Sequence, residues 1–271
     1  MRVPFTKMHG AGNDFVLMDN RAGDIHLTTA SIEALCHRRF GIGADGVLLL
    51  QRPEDPSRQH ARMVYFNSDG SRAEMCGNGA RCFTSFALAH GEGEGNSLRF
   101  LTDAGEISAT RDGDEITVQM IEPFDIRTGI SVPLQAGAAI VHHANTGVPH
   151  VVRFVDDVRT IDIRPEGAEL RFHPAFGPKG ANANFAQITP DGLVLVRTYE
   201  RGVEDETLAC GTGVTAVGIL AHLVHGVSLP VRLRVAGGDH LTIGLKRDGD
   251  RVTAVTMTGP AKLVFTGEVD I

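Results

Sequence analysis

The chain has 271 residues, of which 42% are hydrophobic and 22% charged, and its formal net charge is −7 at pH 7. This is the composition of a folded globular protein of one or two domains. Its lysines and arginines are scattered, which argues against a nucleic-acid or anionic membrane surface and favours a small molecule as the binding partner.

No apolar run approaches the roughly 18 residues that a membrane-spanning helix needs. The first segment, MRVPFTKMHGAGNDF, lacks the apolar stretch of a signal peptide. We therefore expect a cytoplasmic protein, with no membrane partner, whose four cysteines are reduced.

The first predicted helix contains SIEALCHRRF, where Ile32, Leu35, Cys36 and Phe40 share one face. Cys36 is therefore predicted to be a core residue. GIGADG at 41–46 then satisfies the dinucleotide pattern G-x-G-x-x-G, but it precedes a predicted strand, VLLL, instead of a helix. This order excludes a nicotinamide dinucleotide site.

The first half continues with a predicted strand at 61–67, a polar loop and the motif CGNG at 76–79. The helix that is predicted to follow this motif ends at Gly91. Within it Cys82 shares a face with Phe86, which predicts a structural role for Cys82. Three predicted strands follow, LRFLT, EISAT and EITVQM.

The second half repeats this order, with a strand at 193–200, CGTG at 210–213 and a helix that ends at Gly226. That helix is apolar on nearly all sides and must therefore be buried. The strands VRLRV, HLTIGL and RVTAVTM are predicted to follow.

The two cysteine motifs are part of a duplication with a period of about 135 residues. RDGDEITVQM at 111–120 returns as RDGDRVTAVTM at 247–257, and GADGV at 43–47 has a looser echo in GANANF at 180–185. The sequence predicts an α/β (α+β) fold of two pseudo-symmetric domains. Each would be a mostly antiparallel sheet wrapped around a central helix whose N-terminus carries a thiol.

A cysteine at a helix N-terminus has its thiolate favoured by the unpaired backbone N–H groups and the helix dipole, and the glycines allow close approach of a ligand. If two such ends faced one cleft, one thiol would lie on each face of a bound carbon. That geometry removes a proton from one side and returns one on the other. Cys76 and Cys210 are thus the predicted catalytic residues.

Other functions are less well supported. His222 and His225 lie one turn apart in the apolar helix without an acidic partner, so no metal site is predicted. The four lysines show no motif for a Schiff-base cofactor, and no cofactor is predicted. A dithiol redox protein remains open, since two thiolates at one cleft could form a disulfide. A non-catalytic binding module is disfavoured because carboxylate binding does not require paired thiols.

Three segments carry a resemblance to a known family, namely HGAGNDF at 9–15, NSDGSRAEMCGNGARC at 67–82 and YERGVEDETLACGTG at 199–213. They resemble the signature blocks of the diaminopimelate epimerases, in the family's order. The resemblance implies cofactor-independent, two-base interconversion of LL- and meso-diaminopimelate, on the route to lysine and to peptidoglycan precursors. It also implies a domain of residues 1–121 plus 260–271, a second domain of residues 122–259, and a homodimer.

The resemblance places the two proton-transfer groups at Cys76 and Cys210. It assigns the binding of the reacting α-carboxylate to the backbone amides of Gly77, Asn78, Gly211 and Thr212. It assigns further substrate contacts to Asn13, Asn67, Asn182, Glu200 and Arg201. His150 is predicted to have a supporting role, as a group that tunes thiol ionisation, although a lone histidine is more often a structural hydrogen-bonding group.

The chain departs from the family pattern at two positions. Many relatives have Gly-Asn-Pro-His where this chain has Gly-Val-Pro-His, so Val148 replaces an asparagine that helps to read the distal end of the substrate. Gly46 stands where some members have glutamine. These departures leave open an alternative, a two-cysteine racemase or epimerase for a different amino acid.

Overall fold

The computed structural model describes residues 1–249 and 251–271. It divides into two compact units, of which unit 1 is Met1–Gln119 with Gly259–Ile271 and unit 2 is Met120–Thr258. Asp250, the last residue of the second RDGD motif, lies outside the described residues.

Four α-helices are described, α1 (Thr29–Cys36), α2 (Gly77–Ala89), α3 (Ile163–Arg171) and α4 (Gly211–His225). Short 3₁₀ turns occur at Val158–Thr160 and Pro174–Phe176. The strands of the described chain are β1 (Arg2–Gly10), β2 (Asn13–Asp19), β3 (Gly46–Gln51), β4 (Ala61–Asn67), β5 (Arg72–Ala73), β6 (Ser97–Thr102), β7 (Gly105–Asp112), β8 (Glu115–Gln119), β9 (Phe124–Leu134), β10 (Gly137–Asn145), β11 (Pro149–Phe154), β12 (Asn182–Ile188), β13 (Val194–Glu200), β14 (Asp205–Thr207), β15 (Val231–Arg234), β16 (His240–Asp248), β17 (Arg251–Pro260) and β18 (Lys262–Asp270).

The sheet of unit 1 runs in the order β18-β1-β2-β3-β4-β6-β7-β8, with β5 paired to β4. Only the β2–β3 and β4–β6 pairs are parallel. The C-terminal strand β18 thus extends the sheet that the N-terminal strand begins.

Unit 2 repeats this pattern, in the order β9-β10-β11-β12-β13-β15-β16-β17 with β14 paired to β13. The parallel pairs are β11–β12 and β13–β15, at the same places in the order. The predicted α/β (α+β) fold of two pseudo-symmetric domains, each with a mostly antiparallel sheet, is confirmed.

In each unit the sheet packs around a central helix. In unit 1, α2 packs against β1, β2, β3, β6, β7 and β8, and in unit 2, α4 packs against β10, β11, β12, β13, β15 and β16. The fit in unit 2 is tight, because a Cβ at Gly218 would lie 2.8 Å from the Ile243 side chain. The apolar sequence of α4 is explained by this enclosure, as predicted.

The other two helices lie on the outer faces of their sheets. In unit 1, α1 packs against β3 and buries Ile32, Leu35 and Cys36, which confirms Cys36 as a core residue. Phe40 was predicted to share that face, and this prediction is wrong. The helix ends at Cys36 because His37 is extended and starts a turn closed by Gly41 N–H to the His37 carbonyl, and Phe40 is 90% exposed.

None of the helices in the described part of the chain is long and apolar enough to span a membrane.

Candidate active site

Cys76 is the residue that starts the central helix of unit 1. It is the N-cap of α2, with extended backbone angles, and its sulfur accepts a hydrogen bond from the Gly79 N–H at 3.5 Å. The first helical residues are therefore Gly77 and Asn78. Their backbone N–H groups belong to the first turn, where N–H groups have no acceptor within the helix. The thiol and its neighbouring backbone donors are thus in the predicted arrangement.

Asn13 lies beside this thiol. Its Oδ1 accepts from the Cys76 sulfur at 3.5 Å and from Asn78 Nδ2 at 3.3 Å. Its Nδ2 donates to Asp45 Oδ2 at 2.7 Å. Asn78 Oδ1 in turn accepts from the fully buried Arg81 guanidinium at 2.9 Å. The two asparagines, the cysteine and two charged groups thus form one network.

A group of charged side chains holds Asp45 in its position next to Asn13. Arg38 donates to Asp45 and to Asp14, and the buried Lys7 ammonium pairs with Asp14 at 2.6 Å and donates to the Gly43 carbonyl. Burial alone raises the pKa of the Asp14 carboxyl, but hydrogen bonds from Arg38 and Lys7 outweigh it and lower that pKa to about 2. The Asp14 carboxyl therefore remains ionised at neutral pH.

Cys210 is the residue that starts the central helix of unit 2. It is the N-cap of α4 and only 6% exposed, and its sulfur lies 3.5 Å from Thr212 Oγ1. Gly211 and Thr212 form the first turn, and Thr146 Oγ1 donates to the Thr212 carbonyl at 2.9 Å. A Cβ at Gly213 would lie 2.6 Å from Asn184 Oδ1, so any larger residue there requires the buried Asn184 side chain or the first turn of α4 to shift.

His150 lies under this helix start and is completely buried. Its Nε2 is 2.9 Å from Thr212 Oγ1, and its Nδ1 is 3.2 Å from Asn184 Nδ2. Burial lowers the pKa of His150 to about 3, helped by the positive charge of Arg201. The imidazole is therefore neutral at physiological pH.

The lowered pKa of His150 leads to a prediction about how the free energy of unfolding depends on pH. Between its ordinary pKa of 6.5 and about 3, the unfolded chain binds a proton that folded His150 does not, so the free energy of unfolding falls as pH is lowered. At about pH 5 this loss amounts to about 2 kcal/mol. We expect urea unfolding to show a smaller difference between about pH 7 and pH 5 for His150→Gln than for the parent. Parallel curves would contradict the burial of a neutral imidazole.

The predicted distal contacts of unit 2 lie where β12 begins and β13 ends. Asn182 is 3% exposed; its Nδ2 donates to the Pro149 carbonyl at 3.3 Å and its Oδ1 accepts from the Arg201 N–H at 2.7 Å. Glu200 accepts from Thr207 Oγ1 at 2.7 Å. Asn182 thus fixes the backbone from which the half-buried Arg201 extends.

In unit 1, Asn67 ends β4, and its Nδ2 donates to Ser71 Oγ at 3.0 Å. Gly46 lies opposite it across the β3–β4 pair. A Cβ at Gly46 would meet the Phe66 carbonyl at 2.4 Å, so no side chain fits there unless β4 moves. A glutamine at position 46 is therefore incompatible with the local packing of this chain.

The remaining cysteines and the paired histidines have structural surroundings. Burial raises the pKa of the Cys36 thiol to about 11 and that of Cys82 to about 12, and both stay protonated. His222 contacts the Val227 carbonyl at the end of α4, and His225 packs edge-to-face against Phe154. Among the described residues, no group of three or more histidine, cysteine or acidic side chains is placed to hold a metal ion.

Four residues near the two thiols were missed by the sequence reasoning, Asp45, Arg81, Thr146 and Asn184. Arg81 lies inside the second signature block, and Asp45 and Asn184 lie in the GADGV and GANANF echo. Their position within these motifs was the sequence signal that could have identified Arg81, Asp45 and Asn184 as site residues. The partners of Asp45, Thr146 and Asn184 are distant in sequence, so spacing alone could not reveal those three contacts.

Comparison with known proteins identifies the family. The family model for diaminopimelate epimerase matches residues 5–124 and 142–264. The diaminopimelate epimerase of Chlorobaculum tepidum is 40% identical over 267 residues, which cover 97% of this chain and all of that protein. The chain belongs to the diaminopimelate epimerase family.

This member of the diaminopimelate epimerase family also shares its fold with more distant proteins. A phenazine biosynthesis protein of the PhzF family from Bacillus anthracis superposes with a TM-score of 0.78 at 15% identity, covering all of both chains. A hydroxyproline epimerase from Agrobacterium vitis superposes with a TM-score of 0.68 at 20% identity, covering 99% of this chain and 91% of that chain. At these identities the likeness concerns the fold.

Proposed function

We propose that this chain converts LL-2,6-diaminopimelate to meso-diaminopimelate by two-base epimerisation without a cofactor. The observation that carries the proposal is the duplicated thiol: in a chain of this family, each unit starts its central helix with a cysteine followed by Gly-x-Gly. The reaction belongs to the synthesis of lysine and of peptidoglycan precursors. A cytoplasmic location and a homodimer remain predictions.

Proton transfer is the chemistry that the two thiols would supply. One sulfur, as thiolate, takes the α-proton, and the other, as thiol, gives its proton to the opposite face of the same carbon. The sulfur charges are exchanged in one turnover and restored in the reverse reaction. Neither the substrate nor the protein gains or loses a proton overall.

The α-carboxylate carries the charge that develops when the α-proton leaves. We propose that it is held by the first-turn amides of both helices, from Gly77, Asn78, Gly211 and Thr212. Donors fixed in a helix need no rearrangement during the reaction, which makes their stabilisation of the transition state effective.

The distal amino acid end of the substrate requires both an anion and a cation site. Arg201 can bind the distal carboxylate through two parallel hydrogen bonds, and Glu200 can accept from the ammonium. Asn13 and Asn67 are proposed to complete the polar contacts from unit 1, while Asn182 positions the Arg201 backbone. Val148 supplies no polar contact in place of the asparagine of many relatives.

A substrate panel tests this proposal. Purified protein, without added pyridoxal phosphate or metal, would be incubated with LL-diaminopimelate, proline, trans-4-hydroxyproline, lysine and glutamate, and the stereoisomers separated by chiral chromatography. We expect meso-diaminopimelate to form and the other amino acids to stay unchanged. Turnover of another amino acid in place of diaminopimelate would establish the alternative substrate, and a lack of any turnover would defeat both assignments.

A further inference from the structure

The turn that follows Arg201 contains an uncommon backbone conformation. Residues 201–204 connect β13 to β14, and the Glu204 N–H closes the turn by donating to the Glu200 carbonyl at 2.8 Å. Glu204 has a φ of 57°, in the left-handed region that a side chain of this size rarely adopts. Such strain persists only where the surrounding contacts enforce it, and it is concentrated at functional sites.

The Glu204 side chain supplies contacts that enforce this conformation. Its Oε1 accepts from the Gly202 N–H at 3.0 Å, across the turn. The same oxygen accepts from Arg171 Nη2 at 2.9 Å and from Arg171 Nε at 3.2 Å. One carboxylate thus binds both the backbone of its own turn and the guanidinium of the last residue of α3.

Arg171 is itself held in place at the end of α3. Its side chain is only 10% exposed, and its Nη1 donates to the Lys179 carbonyl at 2.8 Å. A Cβ at Gly180 would collide with Arg171 Nη1 and with the Arg171 carbonyl, so the chain passes directly over this residue. The Ala181 N–H donates to the same carbonyl. The guanidinium therefore has little freedom, and it gives Glu204 a fixed partner.

The segment 179–182 that encloses the guanidinium also holds Arg201. Asn182, the last residue of this segment, accepts from the Arg201 N–H at 2.7 Å. The backbone of Arg201 is thus fixed on its N-terminal side by Asn182 and on its C-terminal side by the turn that Glu204 closes. Together these contacts set the direction in which the Arg201 side chain leaves the backbone.

The equivalent hairpin of unit 1 is closed in a simpler way. It joins β4 to β5, and Asp69 Oδ1 accepts from the Ser71 N–H at 2.9 Å and from Ser71 Oγ at 2.6 Å. These groups all belong to the hairpin itself. Unit 2 adds an arginine from a separate helix, at the hairpin that carries the two residues proposed to bind the distal end of the substrate, Glu200 and Arg201.

We propose, on the basis of the function above, that Arg171 and Glu204 are positioning residues for the distal amino acid end of the substrate. They hold the turn in the strained conformation from which Arg201 binds the distal carboxylate. Without this pair the turn relaxes, and the substrate has to order Arg201 when it binds, which weakens binding. The charge of the distal carboxylate does not change during proton transfer at the α-carbon. The pair therefore acts on KM more than on kcat.

Glu204→Gly is the variant that tests this role. Glycine adopts a φ of 57° without strain, so the carboxylate is removed without forcing the turn to move. We expect KM for LL-diaminopimelate to rise at least about fivefold and kcat to fall less than about twofold. Arg171→Gln should give the same pattern, and the double variant should be no worse than the more affected single variant, because both changes break one unit. An unchanged KM in Glu204→Gly would overturn the proposal.

Arg164→Gln is the matched control. Arg164 also lies in α3 and pairs with the same hairpin, through two hydrogen bonds to Asp205 at 3.0 Å, but its side chain is 76% exposed. Exposed pairs contribute little, so parental kinetics are expected. Glu204→Gln keeps an acceptor oxygen and should restore KM part of the way from the Glu204→Gly value. An equal rise of KM in Arg164→Gln would show general loosening of the hairpin and reject the proposal.

Amide hydrogen exchange tests the turn in the full chain without substrate. The Gly202 N–H is the amide to follow, since its acceptor is the Glu204 side chain. We expect its exchange to be at least about fivefold faster in Glu204→Gly and in Arg171→Gln than in the parent, with parental rates in β13 and in Arg164→Gln. Faster exchange throughout unit 2 would indicate a purely structural role and contradict the proposal. Should Arg171→Gln not fold, Glu204→Gly still decides.

The kinetic and exchange measurements separate this proposal from the proposed function. A parent protein that converts LL-diaminopimelate, with KM unchanged in Glu204→Gly, would reject the positioning role and keep the epimerase. A parent protein that turns over no amino acid would reject the function. The Gly202 exchange rates would then decide alone whether Arg171 and Glu204 hold the turn that carries Arg201.

Discussion

Replacing either Cys76 or Cys210 by alanine is expected to reduce epimerisation of diaminopimelate by at least about a thousandfold. Each thiol supplies one of the two proton transfers, and a positioned acid or base contributes about 10²- to 10⁴-fold. Loss of one thiol leaves no group on that face, so the other cannot complete inversion. The rate of LL-to-meso conversion, measured by chiral chromatography, checks this.

The matched control is Cys82→Ala. Cys82 lies in the same helix as Cys76 but is completely buried, and burial raises its pKa to about 12. We expect near-parental turnover and a loss of stability from the smaller side chain. Equal loss of activity in Cys82→Ala, or retained inversion in either catalytic variant, would contradict the two-base assignment.

The second large effect is expected at Gly213. Alanine there places a Cβ 2.6 Å from Asn184 Oδ1 and 3.3 Å from His150 Cε1, so the buried network beneath Cys210 must move. Overpacking of this kind costs about 1–3 kcal/mol of stability. We expect such a loss in urea unfolding together with at least about a tenfold fall in kcat, because the first turn of α4 shifts.

Gly79 is the matched position in unit 1 and serves as the control. A Cβ there would make ordinary contacts, the nearest being Cys76 Cβ at 3.4 Å and Phe15 at 3.5 Å. Gly79→Ala should therefore fold normally and gain about 0.5–1 kcal/mol from helix propensity. If both alanine variants behave alike, the tight packing under Cys210 is not what constrains Gly213.

The sequence predicted those parts of the fold whose signals are local. Both central helices begin after the expected cysteines, and α4 ends at Gly226, whose backbone is left-handed as a helix-ending glycine requires. The strands after each helix alternate buried and exposed residues, so their period is visible without tertiary information.

The parts that could not be predicted depend on contacts between distant segments. Asp45 contacts Asn13 across the β2–β3 pair, and Asn184 reaches His150 across β11–β12. Phe40 was misplaced because apolar spacing continued past the end of α1, where the extended backbone of His37 ends the helix. Helical periodicity alone contains no information about such an ending.

The fate of the substrate α-hydrogen in deuterated water tests the central claim most directly. LL-diaminopimelate incubated with the parent protein should give meso-diaminopimelate that carries one deuterium at the inverted carbon, while unreacted LL-isomer at early times stays unlabelled, since the removed and returned protons belong to different sulfurs. Product that retains the original hydrogen at that carbon would contradict the account, because it would require a single base that returns the same proton.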